Sequence, residues 1–208
     1  MKILHISASP RGEHSNAWWL SRQIIERLQG SVATAELTVR DLHATPIAHI
    51  DVDYADALGS RADPEHVAAD GSLALSEQLI GEVESADCLV IGTPMHNYTV
   101  PSSLKAWIDH VVRVRRTFAI TPDGKVGLLH DRPVYVAVVS GGSFSGAQAQ
   151  QPDFLTPYLK VALATIGLHD LRFVTMERLA AGAELIRSER ARVVKAVLQP
   201  DFLLQKVS

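Results

Sequence analysis

Three short segments of this chain carry residues suited to holding an anion and a flat ring. Ser7-Ala8-Ser9-Pro10-Arg11-Gly12-Glu13-His14-Ser15-Asn16 runs directly into Ala17-Trp18-Trp19-Leu20, which already reads as helix. Small hydroxyl residues ahead of a helix N-terminus, with free backbone N–H groups and the positive end of the helix dipole, make a seat for a phosphate. The spacing is neither the lysine-bearing P-loop nor G-x-G-x-x-G. A phosphate here is therefore held by hydroxyls and amides, mostly without cations. The same Ser and Asn also suit an ordinary N-cap.

The second segment is Gly92-Thr93-Pro94-Met95-His96-Asn97-Tyr98-Thr99-Val100-Pro101-Ser102-Ser103-Leu104-Lys105. Two prolines stiffen it. It can offer backbone groups to a heterocycle while Met95 or Tyr98 packs on the ring face. A rigid connection with Tyr98 in the core is the plainer alternative. The third is Val139-Ser140-Gly141-Gly142-Ser143-Phe144-Ser145-Gly146, whose paired glycines allow close backbone approach or simply make a flexible turn. It is not the G-x-S-x-G elbow of serine hydrolases, because Phe144 stands at its centre.

These segments need elements that bring them together. Apolar runs at residues 2–6, 35–39, 87–92, 133–139 and 171–175 read as strands. The first, third and fourth are apolar on both alternating faces, as strands covered by helices on both sides must be. Helical periodicity fills the gaps over residues 15–28, 73–83, 104–111, 154–166 and 184–197. Strands alternating with helices imply an α/β fold with a doubly wound parallel sheet of five strands. In the order 2-1-3-4-5 the first, third and fourth strands are neighbours at the switch point, where ligands bind beyond the carboxyl ends. Residues 43–70, with Pro46 and Pro64, form a long polar excursion that reads as a functional or interface loop. The Pro122-Asp123-Gly124 turn between apolar flanks predicts an inserted hairpin over residues 117–129.

At 208 residues, 47% hydrophobic and 21% charged, the chain reads as one domain spanning 1–208. One cysteine, Cys88, excludes an internal disulfide and a cysteine metal cluster, and its place in a buried strand reads as inert. The net charge of -3 gives no basic field for nucleic acid and no heavily acidic surface of an electron shuttle. No apolar run reaches the ~18 residues of a membrane span, and the N-terminus lacks a secretory core. The expectation is a cytoplasmic protein.

Ser9-Pro10-Arg11-Gly12 with Ser15, the Gly92 to Tyr98 loop, Ser103-Leu104-Lys105 and Ser140-Gly141-Gly142 resemble the FMN-dependent NADH-azoreductases, also called FMN-dependent NADH:quinone oxidoreductases. The similarity extends to Val39-Arg40-Asp41-Leu42 with Pro46-Ile47, to Thr117-Phe118, and to Leu155-Thr156-Pro157-Tyr158-Leu159 with Ile166-Gly167. The Pro-Met-x-Asn-Tyr/Phe loop is its most specific part. The resemblance implies a flavodoxin-like homodimer with one tightly bound FMN per subunit near the interface. It implies two-electron transfer from NADH or NADPH through FMN to quinones or azo compounds by a ping-pong cycle. FMN contacts then fall on Ser9, Ser15, Asn16 and Ala17 around the phosphate and ribityl chain. Pro94, Met95, His96, Asn97 and Tyr98 lie along the ring, and Ser140, Gly141, Gly142 and Ser143 at its pyrimidine edge. Ala17 stands where the family often has a second serine, and His96 where an aromatic is common.

The cofactor carries the redox chemistry in such an enzyme, so no protein nucleophile is required. His96 is the one candidate catalytic residue: an imidazole titrates near neutrality and can donate a proton to the reduced acceptor, or it only packs and hydrogen-bonds. Arg113, Arg115 and Arg116 read as an exposed basic helix end, or as a seat for a pyridine-nucleotide phosphate. Trp18 and Trp19 cannot share a helix face, so one is expected inward and one toward a partner or cofactor. Two other classes remain open: a non-enzymatic flavodoxin-type electron carrier and a flavin redox sensor. Both would bind flavin without steady-state turnover.

Overall fold

The two-residue alternation of the apolar runs sets the sheet, and the helices follow from it. The computed structural model describes residues 1–32, 34–59 and 71–203. Its strands are β1 (Lys2–Ser7), β2 (Glu36–Asp41), β3 (Cys88–Pro94), β4 (Phe118–Thr121), β5 (Gly124–Gly127), β6 (Val134–Val139) and β7 (Leu171–Met176). Five of them form a parallel sheet in the order β2-β1-β3-β6-β7. Counting only those five, this is the predicted order 2-1-3-4-5. β4 and β5 pair antiparallel as the predicted hairpin, with Pro122 and Asp123 between them.

The helices are α1 (Asn16–Ser31), α2 (Val52–Gly59), α3 (Gly71–Ser85), α4 (Ser102–Val111), α5 (Thr156–Thr165) and α6 (Ala183–Val197). Leu4, Ile6, Leu89, Ile91, Val134, Val136 and Val138 pack on one side, against Leu79, Ile80 and Val83 of α3, Leu104, Trp107 and Ile108 of α4, and Leu159 and Leu163 of α5. Ile3, Val90, Tyr135, Ala137 and Val139 pack on the other, against Leu20, Ile24, Ile25 and Leu28 of α1 and Val193 and Val197 of α6. The central strands are thus apolar on both faces because both faces are covered. The edge strand β2 is half exposed. Among the described residues no helix is long and apolar enough to cross a membrane.

Two boundaries depart from periodicity. The polar excursion contains α2, which Asp51 starts by accepting from the Tyr54 amide at 2.9 Å. Its one buried residue, Tyr54, donates from its hydroxyl to the Asp109 carbonyl at 3.1 Å. A two-turn helix with a single buried side chain leaves no periodic stripe to read. Residues 60–70 of the excursion, Pro64 included, lie outside the described residues. The predicted helix from Phe154 starts later, because Asp153 accepts from the amides of Leu155 and Thr156, each at 2.9 Å. Phe154 is left exposed ahead of α5.

Candidate functional site

The register of the three central strands delivers their ends side by side. Ser7 pairs with Gly92, and Pro94 with Val139. Beyond those ends the Ala8 amide donates to the Gly92 carbonyl at 2.9 Å and the Met95 amide to the Val139 carbonyl at 2.8 Å. The three loops therefore open into one cleft of ≈450 Å³. Ser9, Ser15, Asn16, Pro94, Met95, His96, Ser140 and Gly141 line it together with Arg11 and His14, and Leu179, Ala180 and Ile186 form its outer wall. No lining residue is an Asp or Glu, so nothing in the wall repels an anion.

At the α1 end, Ser15 is the N-cap of the helix. Its Oγ accepts from the Trp18 amide at 3.0 Å and donates to the Gly12 carbonyl at 2.8 Å. The capping alternative thus accounts for the Ser15 hydroxyl, and its proton is already used. Among the described residues the amides of Asn16 and Ala17 donate to no protein acceptor, as expected in a first helical turn; Asn16 lines the cleft, whereas Ala17 is fully buried and outside its lining. Ser9 is buried, and its Oγ accepts from the Arg11 amide at 3.3 Å while its proton has no protein acceptor. Gly92 lets α1 come this close: a Cβ there would lie 2.8 Å from Ser21 Oγ and 3.1 Å from the Ala17 carbonyl oxygen.

The loop after β3 is a tight turn. The amides and carbonyls of His96 and Thr99 pair reciprocally at 2.9 and 3.0 Å, and Asn97 and Tyr98 between them are left-handed at φ 47° and 71°. Two successive positive φ values expose the amides of Asn97 and Tyr98 at the tip, beyond the cleft lining. Tyr98 is 49% exposed and does not join the core. His96 is exposed as well, and borders a second notch of ≈230 Å³ with Pro10, Leu42, His43 and Pro101 to Ser103.

The loop after β6 is tied down from outside. Residues Leu179 and Ala180 donate through their amides to the carbonyls of Ser140 and Gly141. Ser140 spends its own amide on the Met176 carbonyl, and Gly142 donates to Ser140 Oγ at 3.2 Å. Gly141 keeps a free amide in the cleft wall, among the described residues. Gly142 instead lies against Gln151, where any Cβ would overlap the Gln151 amide. Ser143 opens toward a neighbouring polar pocket with Glu177, Arg178 and Arg192, not toward the cleft. Gln151 was not singled out by sequence, yet its Nε2 donates to Met95 Sδ at 3.1 Å and to Ser140 Oγ at 3.0 Å. It joins the walls of the second and third loops. Arg190 was missed too: its Nη2 donates to Asn16 Oδ1 at 2.8 Å.

The remaining candidates resolve into structure. Arg113 is buried and bound by Glu77 and Ser76, and Arg116 by Glu77 and Glu84, which holds its guanidinium above the usual range. Arg115 donates to the carbonyls of Ala57 and Leu58. The three arginines are neither an exposed basic end nor a part of the cleft, because each is bound to α2 or α3. Trp18 packs on the His5 ring, with centroids 4.8 Å apart, and Trp19 lies under the Arg190 guanidinium. Both therefore face protein within the chain. Burial pushes the Cys88 thiol up to about 11, in keeping with an inert core residue. Among the described residues no cluster of His, Cys, Asp and Glu could hold a metal ion.

The chain is similar to known proteins in sequence and in fold. The Flavodoxin_2 family model, described as a flavodoxin-like fold, matches residues 1–199. The FMN-dependent NADH:quinone oxidoreductase 4 of Pseudomonas fluorescens is 46% identical over 201 residues, covering 96% of each chain. The FMN-dependent NADH:quinone oxidoreductase 5 of Burkholderia lata is 47% identical over 196 residues, covering 94% of each. The crystal structure of an FMN-dependent NADH-azoreductase from Bacillus anthracis in complex with FMN superposes with a TM-score of 0.78 at 23% identity, covering 95% of this chain and 98% of that one.

Proposed function

The chain belongs to the Flavodoxin_2 family of flavodoxin-like fold, among its FMN-dependent NADH:quinone oxidoreductases, and on that premise we propose that it binds one FMN in the three-loop cleft and carries two electrons from NADH or NADPH to a quinone or an azo compound by a ping-pong cycle. The observation that carries this reading is the free amide of Asn16, beside buried Ser9 with its unspent hydroxyl proton, in a cleft without carboxylates. A phosphate dianion has acceptors only, and the Asn16 amide and the Ser9 hydroxyl proton are donors without a protein partner among the described residues.

The other residues fit the rest of the molecule. Met95 and Pro94 give the ring an apolar edge, and the amides of Asn97 and Tyr98 point outward for its polar atoms. The free amide of Gly141 supports negative charge at the pyrimidine edge, where Ser140 and Gly142 are already engaged. When bound, FMN supplies the two-electron redox chemistry through its ring. The residues that would hold it are Ser9 and Asn16 at the phosphate, Pro94 and Met95 along the ring, and Gly141 at its polar edge. We assign proton delivery to the reduced acceptor to His96, a reading supported by its exposure on the cleft wall.

The reading includes a homodimer. Ile120, Val126 and Leu128 of the hairpin region and Val161 of α5 are exposed apolar side chains that a second copy would cover. A mass of one chain in sedimentation equilibrium would refute that part. The central test is an absorbance spectrum of the purified protein, then anaerobic addition of NADH and of a quinone. Yellow protein, bleached by NADH and recoloured by the quinone with steady turnover, is the expected result. Colourless protein that takes up no FMN sinks the proposal, and flavin without turnover would favour the carrier or sensor.

A further inference from the structure

Arg190 projects from α6 toward the mouth of α1. Its Nη2 donates to Asn16 Oδ1 at 2.8 Å, and its guanidinium carbon lies 4.7 Å from the centre of the Trp19 ring. Its Nε is buried and has no hydrogen-bond partner. Two residues on, Arg192 is spent in an ion pair with Glu189. Among the described residues Arg190 has no such carboxylate. Its charge is therefore left uncompensated next to the phosphate seat.

The chemistry of the contact has a direction. A guanidinium has donors only, so the end of the Asn16 amide that faces it must be the oxygen. The other end, the Nδ2 with its two N–H donors, is then turned away from Arg190. Asn16 lines the cleft. An Asn free to rotate would present oxygen to a phosphate as readily as nitrogen, and the oxygen would repel it. Stacking on Trp19 holds the guanidinium plane and shields its charge from water.

We infer that Arg190 is the positioning residue of the phosphate seat: it fixes the Asn16 side chain so that N–H, not C=O, joins the free backbone amide of Asn16 in holding the FMN phosphate. This rests on the FMN reading above. It also revises the expectation that the seat works without a cation, since one stands directly behind its Asn.

The full-length chain, freed of flavin, is titrated with FMN and with riboflavin, which lacks the phosphate, and binding is read from quenching of flavin fluorescence. Arg190→Met keeps the packing on Trp19 but removes the donors. It should weaken FMN by about tenfold, the scale of a hydrogen bond to a charged group, and leave riboflavin unchanged. Arg190→Lys should recover most of the loss. Because the effect runs through Asn16, Asn16→Ala with Arg190→Met should bind FMN no more weakly than Asn16→Ala alone. Unchanged FMN affinity in Arg190→Met, an equal loss for riboflavin, or losses that multiply in the double variant would each overturn the assignment. If Arg190→Met does not fold, Arg190→Gln decides: it carries both donor and acceptor and no longer dictates which end of the Asn16 amide faces it, so it must weaken FMN while leaving riboflavin unchanged. Wild-type chain that binds neither flavin refutes the FMN reading instead.

Discussion

Tyr98 is held in a backbone conformation that suits it poorly. At φ 71° it follows Asn97 at φ 47° in the turn that closes through His96 and Thr99. Asn tolerates the left-handed region through its short polar side chain, whereas Tyr incurs a steric cost on the order of 1–2 kcal/mol. Tyr98→Gly should therefore raise stability by about 1 kcal/mol or somewhat less, since glycine loosens the unfolded chain. Urea denaturation checks this, and a loss of stability would mean that the ring, not the turn, carries the position. If the ring borders the FMN site as proposed, the same variant shows altered acceptor KM. The motif around Tyr98 was legible because its members are consecutive. Gln151 and Arg190 were not, because each acts on a partner 56 or 174 residues away, Met95 and Asn16. An isolated Gln or a helical Arg gives no local sign of such a contact.

The contact of α1 with β3 sets where the proposed phosphate seat stands. Gly92 lies under Ala17 and Ser21, and a methyl at that position would meet Ser21 Oγ at 2.8 Å and the Ala17 carbonyl at 3.1 Å. Gly92→Ala must push the first turns of α1 off the sheet by several tenths of an ångström. The expected cost is about 1–3 kcal/mol, the usual range for overpacking. FMN affinity should fall with it, because the moved turn contains the seat. Calorimetry of the apoprotein beside FMN titration checks both, and a variant with unchanged stability and affinity would show that α1 can shift freely. The strands and the long helices were legible because their apolar periods of two and near four are dictated by two-sided burial. α2 was not, since a cap at Asp51 and one anchor at Tyr54 make it. The three arginines after α4 misled because their identities suggest exposure. Only the fold brings Glu77 and Glu84 of α3 against Arg113 and Arg116, and the Ala57 and Leu58 carbonyls of α2 against Arg115.

Whole-molecule stability has a titrating group inside the sheet. His5 is fully buried in β1, and Ser21 Oγ, which donates to the Trp18 carbonyl at 2.9 Å, accepts from its Nε2 at 2.8 Å. Its Nδ1 is buried without a partner. Burial, helped by Arg22 and opposed by Asp41, lowers its pKa to about 4. Between that value and the ordinary 6.5, the unfolded chain holds a proton that the folded chain refuses. Stability is therefore full above pH 6.5 and declines as pH falls toward 4. From pH 7 to pH 5 the loss from this group is about 2 kcal/mol. The acidic groups held below their ordinary values, Asp51, Glu84, Asp131 and Glu189, act at lower pH. Urea unfolding at pH 7 and pH 5 measures the slope, and His5→Gln should flatten it. An equally steep slope in that variant would place its origin elsewhere.

Cys88 opens β3 at the middle of the sheet, opposite Ile3 of β1. With its thiol buried and held at about 11, it offers almost no thiolate to an electrophile in the native fold. An alkylating reagent can reach it only during an excursion that parts the central strands. The molecule thus carries one internal tally of its own rare openings, and each labelled sulfur records a moment when the heart of the sheet came undone.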